Sequence, residues 1–258
     1  VLTASVLTVS VLTFSVLTAS VLTASVLTAS VLTVSVLTAS VLTVSVLTVS
    51  VLTVSVHGLG AHGLKQDYMI RLFIAMNTPH EILPLLAGVR DRLKATRADV
   101  KWDSNEKLHC TLKFLGNTHE ELLPDIISAL GRVASLIPPF PVIYSGLGCF
   151  PDKQEPQIIW VGVEDLNGVL QKLAQTVGTH MAALGFEREQ RPFHPHVTLG
   201  RVKSPRHLRE LLAMMETVTF HGSPVSLGKI ELVKSELKPG GSVYTVVTKA
   251  ILALSPEP

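Results

Sequence analysis

The chain has 258 residues, with 22 Lys and Arg, 20 Asp and Glu and 10 His, for a formal net charge of +2. Such a balance excludes a broad basic face that grips nucleic acid along its backbone, and confines any nucleic-acid contact to a local site. The mean hydropathy of +0.42 and a 47% hydrophobic content are high for a soluble domain, but the average mixes two unlike parts.

Residues 1–55 are eleven copies of Val-Leu-Thr-x-Ser, with x being Ala, Val or Phe. Three residues in five are apolar there and none is charged, so every charged residue lies in the remaining 203, at about one in five. That second part has the proportions of an ordinary globular domain. In the repeat, Thr and Ser break the apolar residues in every copy. There is no basic flank, aromatic belt or cleavage site, which argues against a membrane span or signal segment. A five-residue step smears each residue type around a helix, and Val and Thr are poor helix formers. A small β-solenoid is the second reading. The register resembles pentapeptide-repeat proteins in the small residue two before Leu, but Val stands where those proteins carry a polar residue. Eleven copies at four per coil also make fewer than three uncapped coils. The favoured reading is a translated tandem nucleotide repeat without function, disordered or aggregation-prone. Residues 56–68 then form a Gly-containing linker, and the natural protein starts at Met69, opening a domain over 69–258.

From Met69 to Met76 the sequence reads as a strand. Thr78-Pro79-His80-Glu81 carries a capping Thr, Pro at the first helical position and Glu three after the cap, predicting a helix over 79–96. Leu108 to Leu115 reads as a strand ended by Gly116-Asn117. A second capping box, Thr118 to Glu121, opens a helix to about Leu136, where Pro138-Pro139 breaks the chain. Strands follow at 141–149 and 157–163, then a helix from Leu166 to Leu184 stopped by Gly185. His196 to Val202 is a strand, 205–216 a short helix, and 225–236 with 242–250 a hairpin around Pro239-Gly240-Gly241. The alternation with short turns and a closing hairpin predicts an α+β fold with antiparallel pairing. Cys110 and Cys149 are the only cysteines. Their spacing fits no zinc site, and two buried reduced thiols are expected.

The informative feature is a repeated strand. One copy reads His109-Cys110-Thr111-Leu112-Lys113-Phe114, the other His196-Val197-Thr198-Leu199-Gly200-Arg201. On a strand, His and Thr two apart share a face, while Cys110, Leu112, Val197 and Leu199 point the other way into a core. Two such strands side by side offer two imidazoles and two hydroxyls to one bound group. That set suits phosphoryl chemistry without a metal. One neutral His takes a proton from water, and a protonated one gives a proton to the leaving oxygen. With unperturbed pKa values near 6.5 both states are accessible at neutral pH. The Thr hydroxyls donate to phosphoryl oxygens, and Arg201 is the candidate countercharge.

These residues resemble the 2H phosphoesterase superfamily, and within it the RNA 2′,3′-cyclic phosphodiesterases, also called 2′-5′ RNA ligases. The resemblance extends from about Ile70 to Val247. It includes Arg71-Leu72-Phe73-Ile74-Ala75, Ile159-Trp160-Val161-Gly162-Val163, Arg191-Pro192-Phe193-His194-Pro195-His196, and Ser235-Glu236-Leu237 followed by Tyr244. It implies a two-lobed, pseudo-symmetric fold with two antiparallel sheets lining a cleft and helices outside. It implies His109 as proton donor and His196 as proton acceptor. The implied reaction opens an RNA-terminal 2′,3′-cyclic phosphate to a 2′-phosphate, with reversible 2′-5′ ligation in some members. No cofactor and no metal are expected. RNA 3′ ends or cyclic nucleotides are the expected substrates, in a cytoplasmic monomer without a membrane partner. An RNA-end-binding module with little catalysis, or an enzyme for a non-RNA cyclic phosphate, remain as alternatives.

Other residues are weighed more evenly. His194 reads as a rim residue in contact with substrate or as a plain surface His; no third ligand makes a metal pair of His194 and His196. Phe73 is either a base-stacking face or, more readily, a core residue. Lys113 alternates onto the His109 face or is solvated, and Trp160 is assigned to the core.

Overall fold

The computed structural model describes the backbone of residues 2–6 and 9–56, and residues 69–253 in full. The chain divides into two compact units after Asp67. In the first, Leu2–Val6 (β1) and Val9–Val56 (β2) are strand. The two pair in parallel from Leu2↔Leu22 to Val6↔Val26, an offset of four pentapeptides that matches each residue with its own type. The described backbone of the repeat is extended; Val and Thr in every copy favour strand. The proposed linker over 57–68 lies outside the described residues.

The described residues of the second unit form one curled antiparallel sheet of nine strands with four α-helices. Its elements are β3 (Met69–Asn77), α1 (Leu83–Lys94), β4 (Val100–Trp102), β5 (His109–His119), α2 (Leu123–Ala134), β6 (Phe140–Phe150), β7 (Ile158–Glu164), α3 (Val169–Ala183), β8 (His196–Val202), α4 (Leu208–Thr217), β9 (Val225–Leu227), β10 (Lys229–Lys238) and β11 (Gly241–Ile251). The strand order is β11-β10-β3-β5-β8-β7-β6-β9, with β4 paired to β8. The two His-x-Thr-Leu strands, β5 and β8, lie at the centre and meet at a single pair, Cys110↔Val197. On either side the order continues alike, so β11-β10-β3-β5 and β8-β7-β6-β9 form two lobes related about that junction.

Alternation builds the core. Leu72, Ile74 and Met76 of β3, Cys110 and Leu112 of β5, Ile159, Val161 and Val163 of β7, and Val197 and Leu199 of β8 are buried in one cluster. Helices cover this convex face. The stripe Ile126, Leu130, Val133 of α2 and Leu170, Leu173, Val177, Met181 of α3 point into it. Each fully buried Leu or Ile contributes about 1.5–3 kcal/mol. Both thiols are free and buried. No helix among the described residues is long and apolar enough to cross a membrane.

The element boundaries differ from expectation where backbone groups find other partners. Neither capping box forms. Thr78 follows directly on β3, its N–H donating to Leu108 O at 3.2 Å, and residues 80–82 make a turn before α1 begins at Leu83. Thr118 is likewise a strand residue, paired with Ile70, so α2 starts only at Leu123. Gly116, expected to end its strand, sits at φ +71° beside a bulge, and β5 runs on to His119. Pro205 does not open a helix; α4 starts at Leu208, after His207 at φ +53°. The segment expected as one strand over 225–236 is broken at Gly228 into β9, which pairs with β6, and β10, which pairs with β3 and β11.

Candidate active site

The concave face of the sheet carries the polar residues. In β5 and β3, Asn77↔His109, Ala75↔Thr111 and Phe73↔Phe114 are opposite pairs, and residues directly opposite one another share a face. In β7 and β8, Gly162↔His196 and Trp160↔Thr198 are opposite. The antiparallel pairing Cys110↔Val197 then brings His109 toward Thr198 and Thr111 toward His196, a diagonal set around one centre. The structure thus gathers His109, Thr111, His196 and Thr198 in one cleft.

Both strands carry a bulge at the same place in the motif. The register slips between Ile74/Ala75, leaving Leu112 extra in β5, and between Ile159/Trp160, leaving Leu199 extra in β8. An extra residue reverses the alternation after it. Arg201, which strict alternation would place with Leu199 on the core side, is thereby turned to the cleft and lies opposite Ile158 and Lys101. Its charge acts on both histidines. The same slip takes Lys113 away from the His109 face. It is buried opposite Ile74, and Nζ donates to Glu187 O at 2.6 Å. In its place Phe114, 64% exposed, faces the cleft at the position equivalent to Arg201.

The two imidazoles are held alike. His109 Nδ1 lies 2.6 Å from Lys107 O, and His196 Nδ1 lies 2.7 Å from His194 O. A carbonyl only accepts, so each Nδ1 carries the hydrogen and each neutral ring has its lone pair on Nε2. Burial pushes His109 down to about 4, against the raising effect of its bond to Lys107 O; His196 and Arg201 lower it further. Burial also lowers His196, again opposed by its carbonyl bond and aided by His194 and Arg201. Both rings are thus shifted toward the neutral form relative to the free value of 6.5. Asp103, next to β4, has its carboxyl raised by burial, although Arg201, Lys107, Lys101 and Arg90 draw it down.

Aromatic rings wall each side. Phe73 is buried and stacks on His109 with centroids 4.8 Å apart, so it supports the imidazole and offers no open face to a base. Tyr244 meets His109 edge-on at 5.4 Å. On the other side Phe150 meets His196 edge-on at 4.9 Å. Trp160 is not in the core; it lies opposite Thr198 on the cleft face, with its ring 4.7 Å from His194 and 6.1 Å from His196. Gly148 makes room for it, since a Cβ there would lie 2.1 Å from an indole carbon. His194 is exposed at the rim. Sequence reasoning missed Phe114, Tyr244 and the cleft side of Trp160; the repeat of the motif, carried two residues past Leu, was the available signal for Phe114. Among the described residues no three His, Cys, Asp or Glu side chains form a group that could hold a metal ion.

Comparisons with known proteins agree with this architecture. The family model of the 2′-5′ RNA ligase superfamily matches residues 82–238. An RNA 2′,3′-cyclic phosphodiesterase of Aquifex aeolicus is 37% identical over 187 residues, covering 71% of this chain and 98% of the relative. Another, from Methanothermobacter thermautotrophicus, is 32% identical over 179 residues, 68% of this chain and 95% of the relative. Among solved structures, a Thermus thermophilus protein superposes with a TM-score of 0.62 at 30% identity, covering 72% of this chain and 100% of that one. E. coli LigT in apo form gives 0.58 at 25% identity, covering 71% and 98%. Two bulged His-x-Thr-Leu strands at the centre of a curled antiparallel sheet, matched in sequence and in fold, make this chain a 2H phosphoesterase of the 2′-5′ RNA ligase superfamily, in the company of the RNA 2′,3′-cyclic phosphodiesterases.

Proposed function

We propose that the protein hydrolyses an RNA-terminal 2′,3′-cyclic phosphate to a 2′-phosphate by two-histidine acid–base catalysis that needs no metal. The observation that carries this is the matched pair of imidazoles, each tied through Nδ1–H to the carbonyl two residues before it, with each Nε2 left for substrate. Neutral His196 accepts a proton from the attacking water as the new P–O bond forms. His109, protonated together with the arriving anion, gives its proton to O3′ as the P–O3′ bond breaks. The pentacoordinate oxygens gain charge, and the Thr111 and Thr198 hydroxyls and Arg201 donate to them. A bound phosphodiester opposes the effect of burial on the rings, because a nearby negative charge favours imidazolium. His194 and Phe114, exposed at the cleft, are the candidates for contact with the nucleoside.

The test is turnover of a 2′,3′-cyclic nucleotide in excess EDTA, with the product phosphate position read by 31P NMR. Wild type should form the 2′-phosphate unhindered, and His109→Ala and His196→Ala should each lose about 10²–10⁴-fold in kcat. Activity abolished by EDTA, or surviving both substitutions, would reject the mechanism.

A further inference from the structure

Tyr244 lies on β11, separated from β5 in the sheet by β10 and β3, yet its ring reaches His109. Three rings meet there. Phe73 stacks on His109 at 4.8 Å and 27°. Tyr244 abuts His109 at 5.4 Å and 81° and Phe73 at 5.1 Å and 73°. Only a strongly curled sheet brings its edge strand over its centre. The hairpin that delivers Tyr244 is also tied down from the opposite lobe. Lys101 of β4 donates from Nζ to Gly240 O at 3.2 Å, and a Cβ on Gly241 would fall 2.6 Å from that same Nζ. Since β4 pairs with β8, the strand bearing His196 anchors the turn that carries Tyr244 toward His109.

We propose that Tyr244 is a positioning residue for His109, closing with Phe73 an aromatic box that fixes the imidazole plane and keeps water from it. The bond from Nδ1 to Lys107 O holds one end of the ring but leaves it free to tilt about that bond. Phe73 blocks tilt on one face and the Tyr244 edge blocks it on the side. The ring of Tyr244, not its hydroxyl, performs this role, because the contact is made ring to ring. Burial is the chief cause of the low His109 pKa, and Tyr244 is the part of that wall that reaches in from a sheet edge. The other charges facing His109 are His196 and Arg201; those facing Tyr244 are Asp103, Arg201 and Arg71. None of these charges is removed when Tyr244 is changed.

The experiment is an NMR titration of the ring signals of His109 and His196 in the full chain, for wild type, Tyr244→Phe and Tyr244→Ala. In Tyr244→Ala the His109 midpoint should rise from about 4 toward 6.5, by far more than any shift of the His196 midpoint, which follows only through its coupling to His109. In Tyr244→Phe both should stay as in wild type. Tyr244→Thr removes the ring but keeps a strand-favouring residue, and repeats the test if the Ala variant unfolds. In cyclic-phosphate hydrolysis, Tyr244→Ala should lose roughly 10- to 100-fold in kcat with KM little changed, and Tyr244→Phe should retain the rate. A His109 midpoint that stays low without the ring would overturn the proposal, as would a Phe variant that shifts as far as the Ala variant. This inference deepens the catalytic reading of the cleft, but the titration needs no turnover, so its failure is separate from a failure of the proposed reaction.

Discussion

Replacing His109 by Gln removes one titrating ring from the cleft and should flatten the dependence of stability on pH. The wild-type ring titrates at about 4 in the folded protein, against an ordinary value of 6.5. Between those values the unfolded chain binds a proton that the folded protein refuses. The unfolded state then holds more protons, so stability rises with pH through this window and is lost as pH falls. Evaluated from these two values, the loss attributable to His109 is about 0.1 kcal/mol at pH 7.5 and roughly 2.5 kcal/mol at pH 4.5. Urea unfolding followed by tryptophan fluorescence measures it directly. Between pH 7.5 and 4.5 the wild type should lose roughly 2.5 kcal/mol more than His109→Gln, a difference of about 1 M in urea midpoint for a domain of this size. His196 is lowered in the same direction and contributes to both proteins alike, so it cancels in the comparison. Equal losses in the two proteins would show that His109 is not held neutral by burial, and the account of the cleft electrostatics would fall with it.

The cleft charge is tested at Arg201, where Ala should cost roughly 10- to 100-fold in kcat/KM for the cyclic phosphate, the worth of one charged hydrogen-bonding group. Because Arg201 lowers both histidines, their NMR midpoints should rise in the same variant, whereas Arg201→Lys should keep them near wild type. Packing is tested at two glycines with opposite expectations. Gly148→Ala places a Cβ 2.1–2.6 Å from three indole carbons of Trp160 and should lower stability by about 1–3 kcal/mol. Gly131→Ala, inside α2 with nothing within 4 Å of the added atom, should raise it by roughly 0.5–1 kcal/mol. Thermal melts of the two variants that move in the same direction would contradict the geometry.

The two central strands were legible because their signal is local and doubled: His, apolar, Thr, Leu occurs twice, each time alternating a cleft residue with a core residue. The approximate number and order of helices and strands were legible for the same reason of periodicity. What escaped was decided by single residues acting over distance. One extra residue at Leu112 and at Leu199 reverses the alternation of the residues that follow it directly, so Lys113 goes to the helix side and Arg201 and Phe114 come to the cleft. Capping boxes at Thr78 and Thr118 match the helix-start pattern, but the Thr78 N–H is taken by Leu108 O and Thr118 is held in a strand by pairing with Ile70. Trp160 reads as core because it is flanked by Ile159 and Val161; strand alternation sends it to the other face, where Gly148 leaves it space. Tyr244 could not be linked to His109 without the curl of the sheet.

The surroundings of the two rings bear on which histidine acts as acid. The backbone cradles are equivalent, a carbonyl two residues before each ring, so they do not by themselves distinguish donor from acceptor. The neighbouring side chains do. His109 is enclosed between Phe73 and Tyr244, and beyond it the equivalent of Arg201 is the apolar Phe114. His196 has Phe150 and Trp160 at its side but opens toward the exposed His194. An enclosed imidazole with a low pKa is a strong acid once the charge of the bound anion has favoured its protonation from solvent, and it is the ring from which stray water is best excluded. A ring at the open rim is the one a hydrolytic water reaches. Environment thus breaks a symmetry that the backbone builds, in the sense the proposed mechanism requires: the open ring of His196 beside the water that loses a proton, and the enclosed ring of His109 beside the oxygen that gains one.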